Sequence, residues 1–276
     1  MTTATGGSTP PVALVTGASR GIGRATAIAL GKAGCDVAAS ARTLVDGTAR
    51  LPDDPSVVVP GGLDTTVAAI EEGGRRGLAV AMDLLDRDSL ERGVAEVLER
   101  FGRIDVLVNN AVYQGAGTTS LFADLTEDEV RTVFDGNVHA QLALIRAVLP
   151  GMLERGTGTI VNMISATAYM DPPAKSGEGG WGMAYAMSKA AFARVAPLLH
   201  VEHGADGLRV FSLDPGFVIT ERLEASGHAG QYTGRFKGAG PDVIGKAIAW
   251  LVTDPASDEL RGQVVHAQRE VKHRNL

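Results

Sequence analysis

The alternation of short, apolar, often β-branched runs with longer amphipathic stretches most narrows the folds open to this chain. Strand-like runs lie at Val12–Thr16, Asp36–Ala41, Leu78–Met82, Ile104–Val108, Thr159–Ile164, Leu208–Leu213 and Gln263–His266. Helical periodicity covers Ile22–Ala33, Ser89–Phe101, Glu127–Met152, Ala184–Glu202 and Asp242–Val252. Runs that are apolar throughout and separated by helices predict a parallel sheet covered on both faces. Right-handed crossovers then make it doubly wound. No second regime, long linker or repeat intervenes, so one α/β domain over 12–276 is expected behind a flexible Thr/Gly/Ser/Pro-rich leader over 1–11. Three segments break the rhythm, at 43–62, 169–183 and 221–240. The last two emerge at the carboxyl end of the sheet, where this architecture binds ligands, and are expected to act as lids or substrate loops.

Thr16-Gly-Ala-Ser-Arg-Gly-Ile-Gly23 follows the first strand and opens a helix. Gly17, Gly21 and Gly23 permit a tight turn and a close backbone approach to a pyrophosphate. The helix N-terminus behind them offers unpaired N–H groups to an anion. The second strand ends Ser40-Ala41-Arg42, with no carboxylate where NAD(H) would need one for its ribose 2′-hydroxyl. Arg42 and Arg20 instead suit a 2′-phosphate, because a guanidinium donates bidentately. NADP(H) is therefore favoured over NAD(H). Asp83, after the third strand, is placed to touch the adenine edge.

Tyr185-Ala-Met-Ser-Lys189 sets a phenol and an ammonium one helical turn apart. A free phenol titrates near ~10, too high for easy proton exchange at neutral pH, and a neighbouring ammonium lowers that value. Ser165 sits just past the fifth strand and Asn109-Asn110-Ala111 just past the fourth, on adjacent lips of one crevice. Asn137 stands inside a long helix, where asparagine is a poor helix former. Asp214-Pro215-Gly216 follows the sixth strand, with Thr220 four residues past Gly216.

Glycine loop, Asn-Asn-Ala, helical Asn, strand-end Ser, Tyr-x3-Lys and Pro-Gly, in that order over Val12 to about Val265, resemble the short-chain dehydrogenase/reductase family, in its non-extended NADP(H)-dependent branch. The resemblance implies a Rossmann fold and a hydride transfer between nicotinamide and a carbonyl or secondary alcohol. Tyr185 would be general acid in reduction and general base in oxidation, with Lys189 lowering its pKa and holding the nicotinamide ribose. Ser165 would bind the substrate oxygen, and Asn137 would support a water relay to Lys189. Cofactor contacts would come from Gly17, Ser19, Arg20, Gly21, Ile22 and Gly23 in the loop, and from Arg42, Asp83 and Leu84 at the adenosine end. Asn110, Ala111, Tyr185, Lys189, Pro215, Gly216, Val218 and Thr220 would complete the set. The sequence departs from the family pattern at Val112, at Ile164, in the 20-residue separation of Ser165 and Tyr185, and in the tail Ala267-Gln-Arg-Glu.

Tyr169, Met170, Trp181 and Met183, with Phe217, Val218 and Leu223, suggest mostly apolar substrate walls. Ala143, Ala147, Ala191 and Ala196 suggest close helix contact in a homodimer or homotetramer, as the resemblance implies. The alternative is a non-catalytic NADP(H)-binding regulator of the same fold, disfavoured because Asn137, Ser165, Tyr185 and Lys189 are all present. A net charge of −6 argues against a nucleic-acid binder. No run of eighteen apolar residues is present to cross a membrane, and no metal site is expected. The single Cys35 reads as a buried hydrophobe and fits a reducing cytoplasm.

Overall fold

In the computed structural model, which describes residues 9–51, 54–227 and 238–276, the central strands anticipated as apolar throughout are buried at almost every position, while the edge strands are partly exposed. β1 (Val12–Thr16), β2 (Asp36–Ala41), β6 (Val106–Asn109) and β7 (Gly158–Met163) expose no residue. They join β5 (Gly77–Ala81), β8 (Leu208–Asp214) and β9 (Val264–His266) in a seven-stranded sheet of order β5-β2-β1-β6-β7-β8-β9, every pair parallel. This is the expected doubly wound sandwich. Period-2 alternation splits the core in two. Ala13 and Val15 face one layer with Phe211 and Trp250, while Val12 and Leu14 face the other with Phe192 and Ile160.

On the first face lie α1 (Gly21–Lys32), α2 (Leu63–Glu72) and α9 (Pro241–Thr253). On the second lie α3 (Arg87–Phe101), α4 (Glu127–Phe134), α5 (Ala140–Glu154), α6 (Met183–Ala193) and α7 (Val195–His203). Local chemistry sets their ends. Asp86 caps α3 by accepting from Ser89 N, and Gly102 leaves it in a left-handed conformation at φ 81°. Thr126 and Glu129 form a capping box at α4.

Two expected helices are interrupted. The one anticipated over Glu127–Met152 widens into a π turn at Asp135–His139, around Asn137. The one over Ala184–Glu202 breaks after Ala193, because Pro197 has no N–H for the carbonyl four residues back; the Ser212 hydroxyl takes that carbonyl instead.

The 43–62 segment is not a bare loop. β3 (Ala49–Arg50) and β4 (Val58–Val59) pair as a small antiparallel ribbon before α2 begins. The tail also forms an unanticipated helix, α10 (Ala267–Arg274), and a short α8 (Glu221–Ala225) lies in the connection after β8. The leader at 1–8 and the 228–237 part of the third long segment lie outside the described residues. Among the described residues no helix is long and apolar enough to cross a membrane. Cys35 is fully buried, and burial pushes its thiol up to about 11.

At the amino end of the sheet, buried Asp36 receives both Arg75 and Arg76 at 2.6 Å. Burial alone would raise its carboxyl, but the hydrogen bonds from Arg76 and Arg75 outweigh it and hold it below the ordinary range. A depressed folded pKa gives stability that is present at neutral pH and lost as pH falls through that pKa. Asp36→Asn should therefore cost roughly 3 kcal/mol at pH 7, the low end for a broken buried pair because Arg76 is more exposed than Arg75. Urea denaturation should show the gap from wild type closing below about pH 4, near the unfolded carboxyl's own value.

Candidate active site

The direction of the crossovers reverses between the parallel strands β1 and β6, and the two strand ends there form a cleft. Thr16 joins them: its hydroxyl donates to Val108 O at 3.2 Å and accepts from the Asn110 and Ala111 amides at 3.0 and 2.9 Å. Asn110 Nδ2 returns a bond to Thr16 O at 2.8 Å. The glycines are obligatory. A Cβ on Gly23 would stand 2.2 Å from Gly17 O, and one on Gly17 would stand 2.9 Å from Ala111 Cα. Gly17 and Gly21 also need φ of +68° and +54°. The backbone is thus left bare as a cradle of the shape a pyrophosphate requires.

A cavity of about 350 Å³ runs from this cradle along the ends of β2 and β5. Ser19, Arg20, Ile22, Arg42, Asp83 and Leu84 line it, as do Asn110, Ala111 and Thr220. Twelve of the residues expected to hold the cofactor, these nine with Gly17, Gly21 and Gly23, therefore share one continuous wall. Lys189, Tyr185, Pro215, Gly216 and Val218 lie beyond it, toward β7 and β8.

The two candidate cations differ. Arg42 is 70% exposed at the cavity rim, 3.9 Å from Asp83. Arg20 is committed to the insertion, donating from Nε to Pro60 O and from a terminal nitrogen to Gly61 O, both at 2.8 Å. The 43–62 segment packs so closely there that a Cβ on Gly61 would stand 2.4 Å from Ser19 O.

The catalytic candidates converge at the carboxyl ends of β7 and β8. Ser165 opens a 3₁₀ turn at Ala166–Ala168, accepting from Thr167 N at 3.3 Å, and its hydroxyl favours the ionised form of the Tyr185 phenol. Burial pushes the Tyr185 phenol up to about 12, while the Ser165 hydroxyl pulls it down and the Asp214 charge pushes it further up. Lys189 does not reverse this. Its ammonium is buried, 5.9 Å from the Tyr185 ring centroid, donates to Met163 O at 2.9 Å, and is brought down to about 8 by burial. Asn137 accepts from Tyr113 N at 2.7 Å and donates to Ser188 Oγ at 3.3 Å, so its side chain ties the β6 lip to α6 beside Lys189. That close approach explains Gly136, where a Cβ would lie 2.6 Å from the Cβ of Tyr113.

Several participants gave no advance signal. Glu221, on α8, accepts from Gly21 N at 2.9 Å, and Arg222 donates to Gln114 O at 3.2 Å, so α8 bridges both lips of the cleft. In the departing tail, Gln268 donates to Pro215 O and Phe217 O at 2.9 Å each and fixes the Pro-Gly turn. Tyr169 is no apolar wall: its hydroxyl donates to buried Asp214. Met170 and Met183 remain exposed. Ala143 and Ala196 are buried in the chain's own core, which removes them from any helix contact between copies, whereas Ala147 and Ala191 are exposed.

The family model described as short chain dehydrogenase matches residues 11–53 and 56–230. An uncharacterised NAD-dependent oxidoreductase of Mycobacterium tuberculosis is 33% identical, over 88% of this chain and 89% of its own length. A 3-oxoacyl-[acyl-carrier-protein] reductase of Synechocystis is 31% identical, over 92% and 94%. A putative short-chain alcohol dehydrogenase from Sinorhizobium meliloti superposes with a TM-score of 0.78 at 28% identity, covering 95% of this chain and 96% of that one. A putative NAD(P)-dependent gluconate 5-dehydrogenase from Beutenbergia cavernae, with NADP bound at low occupancy, gives 0.76 at 28%, over 95% and 97%.

The cradle geometry is directly testable. Gly23→Ala should abolish NADPH and NADH binding in a fluorescence titration while circular dichroism stays that of the wild type. Retained affinity would show that the loop does not receive the dinucleotide.

Proposed function

Because this chain belongs to the short-chain dehydrogenase family, an NAD(P)-dependent oxidoreductase acting between CH–OH and C=O, we propose that it uses NADP(H) and that Tyr185 is its general acid and base. The observation that carries this reading is the Lys189 ammonium held by Met163 O at 2.9 Å and standing 5.9 Å from the Tyr185 ring centroid, with the Ser165 hydroxyl acting on the same phenol from the end of β7. The nicotinamide, when bound, supplies or receives the hydride. Ser165 binds and orients the substrate oxygen, and Tyr185 gives its hydroxyl proton to that oxygen in reduction and recovers it in oxidation. A phenol pushed up to about 12 holds its proton at neutral pH, so it is loaded as a donor but is a weaker acid than the free side chain. Lys189 holds the nicotinamide ribose, and Asn137 supports the water relay that returns a proton toward Lys189.

The preference for NADP(H) is supported by Arg42, exposed at the cavity rim with no carboxylate at the end of β2. Arg20 contributes less than the sequence suggests, since its donors already meet Pro60 and Gly61. Gly17, Ile22, Gly23 and Thr220 hold the pyrophosphate. Leu84 would meet the adenosine end beside Arg42 and Asp83, Asn110 and Ala111 the stretch beside the glycine cradle, and Pro215, Gly216 and Val218 the nicotinamide end. Met170, Trp181, Met183 and Leu223 support a substrate with an apolar body beside its carbonyl or secondary alcohol. Self-association through α5, α6 and α7 is supported by Met187, Leu198 and Val201, large apolar side chains left exposed on the last two. A reducing cytoplasm suits the buried free thiol of Cys35.

NADPH oxidation over a panel of ketones, aldehydes and quinones tests the reading. Tyr185→Phe should lower kcat by about 10²–10⁴. Unchanged turnover in that variant, or binding of NADPH without turnover on any carbonyl, overturns the assignment. Arg42→Ala should weaken NADPH binding roughly tenfold or more, the worth of a charge-assisted bond, and leave NADH nearly unaffected. Equal losses for both cofactors would remove Arg42 as the 2′-phosphate ligand.

A further inference from the structure

α1 opens at the glycine cradle with no anion of its own. Its cap residue, Arg20, makes no side-chain bond there, and no acidic residue stands in the first turn. That suits a helix whose free N–H groups and positive end are to meet a pyrophosphate. A carboxylate nevertheless sits on it. Glu221, brought by α8 from 200 positions away, accepts from Gly21 N at 2.9 Å. Thr220 closes over the same glycine, its Cγ2 3.2 Å from where a Gly21 Cβ would stand. The Glu221 carboxylate and a pyrophosphate therefore call on one N–H, and two anions that close repel. A second cavity, of about 390 Å³, adjoins this seat between α1 and α9, lined by Gly21, Arg24, Lys32, Glu221, Asp242 and Lys246. Arg24 lies one helical turn beyond Gly21, about 5 Å along the axis. Its Nε is buried and meets no acceptor among the described residues, an arrangement that costs free energy until an acceptor is supplied. Of the other cations, Lys246 already donates to Leu276 O at 3.4 Å, and Lys32 stands at the far end of α1.

We infer that Glu221 is a latch with two seats, which holds Gly21 N against the dinucleotide and, when the pyrophosphate takes that N–H, turns into the adjoining cavity to pair with Arg24. The inference rests on the reading that the glycine cradle receives the pyrophosphate. Only the side chain has to move. Arg222, next along α8, donates to Gln114 O at 3.2 Å and keeps the short helix across the cleft while Glu221 turns. The exchange trades one charge-assisted bond for another, so displacement is affordable, yet the returning carboxylate opposes every bound dinucleotide. Cofactor affinity is then set by Glu221 and Arg24 as well as by the cradle. A purely structural Glu221, tying α8 to α1, predicts the opposite outcome on its removal: a looser cleft and weaker binding.

The experiment measures dissociation constants by calorimetric titration for wild type, Glu221→Gln, Arg24→Gln and the double variant. NADPH, NADH and ADP-ribose serve as probes, because all three carry the pyrophosphate. Gln keeps the length and an acceptor for Gly21 N but removes the charge. Glu221→Gln should tighten all three probes by roughly three- to tenfold, the difference between a charge-assisted and a neutral bond. Arg24→Gln should weaken them by roughly threefold, since the displaced carboxylate loses its partner. In the Glu221→Gln background the Arg24 substitution should change nothing, so the two effects are not additive. Unchanged or weaker binding in Glu221→Gln, or tightening confined to NADPH, overturns the latch. An Arg24→Gln effect that is absent, or that persists in the double variant, overturns Arg24 as its second seat. Affinity retained in Gly23→Ala would sink the cradle reading itself, whereas loss there with no change in Glu221→Gln overturns only the latch.

Discussion

The lateral pairing of β1 with β6 is the constraint on which the site depends, because it is where the chain's crossovers change direction. On one side the crossovers run outward through β2 to β5, and on the other through β7 to β9, so no helix fills the space above the seam. The seam must then be closed without side-chain bulk. Thr16 does this with one hydroxyl that bonds both the Val108 carbonyl and the amides of Asn110 and Ala111. Gly17 and Gly23 let the two lips approach until a Cβ would collide with Asn110, Ala111 or the loop's own carbonyl. Cofactor cradle and strand pairing are one set of contacts, which is why the glycines and the Asn-Asn-Ala segment occur together.

Periodicity carried most of the sheet. All seven anticipated strands are present within about two residues of their bounds, since strands buried on both faces leave an apolar record at every position. What periodicity did not carry is backbone whose conformation is decided from elsewhere. The π turn at Asn137 keeps the apolar spacing of the helix on either side, and its cause is a tertiary bond to Tyr113. The break after Ala193 was in principle visible in Pro197. The ribbon inside 43–62 pairs only two residues per strand, and α10 is short and polar enough to read as a tail. At the site, Gly17, Gly21, Gly23, Tyr185 and Lys189 were legible because their spacing within one turn of backbone is itself the signal. Glu221, Gln268 and the Asp214–His266 pair were not. Their partners lie 200, 53 and 52 residues away, and only strand order and register bring them together.

The buried ionisable groups divide by the edge of the sheet they occupy, and the division separates holding the fold from running the chemistry. At the amino edge, Asp36 meets Arg75 and Arg76, while Asp105 meets Arg103 at 2.6 Å, Arg155 at 3.5 Å and the Val12 amide at 2.9 Å. Each carboxylate there faces two full opposite charges, so the desolvation cost is offset. At the carboxyl edge the partners are dipoles: a carbonyl for Lys189, a serine hydroxyl for Tyr185, a phenol and an amide for Asp214. Dipoles satisfy hydrogen-bonding needs without cancelling charge, which leaves the proton affinities of Tyr185 and Lys189 open to their surroundings. A proton that must leave and return in every turnover has to sit on a group of the second kind. The same sheet therefore needs arginines at one edge and is better without them at the other, above β7 and β8.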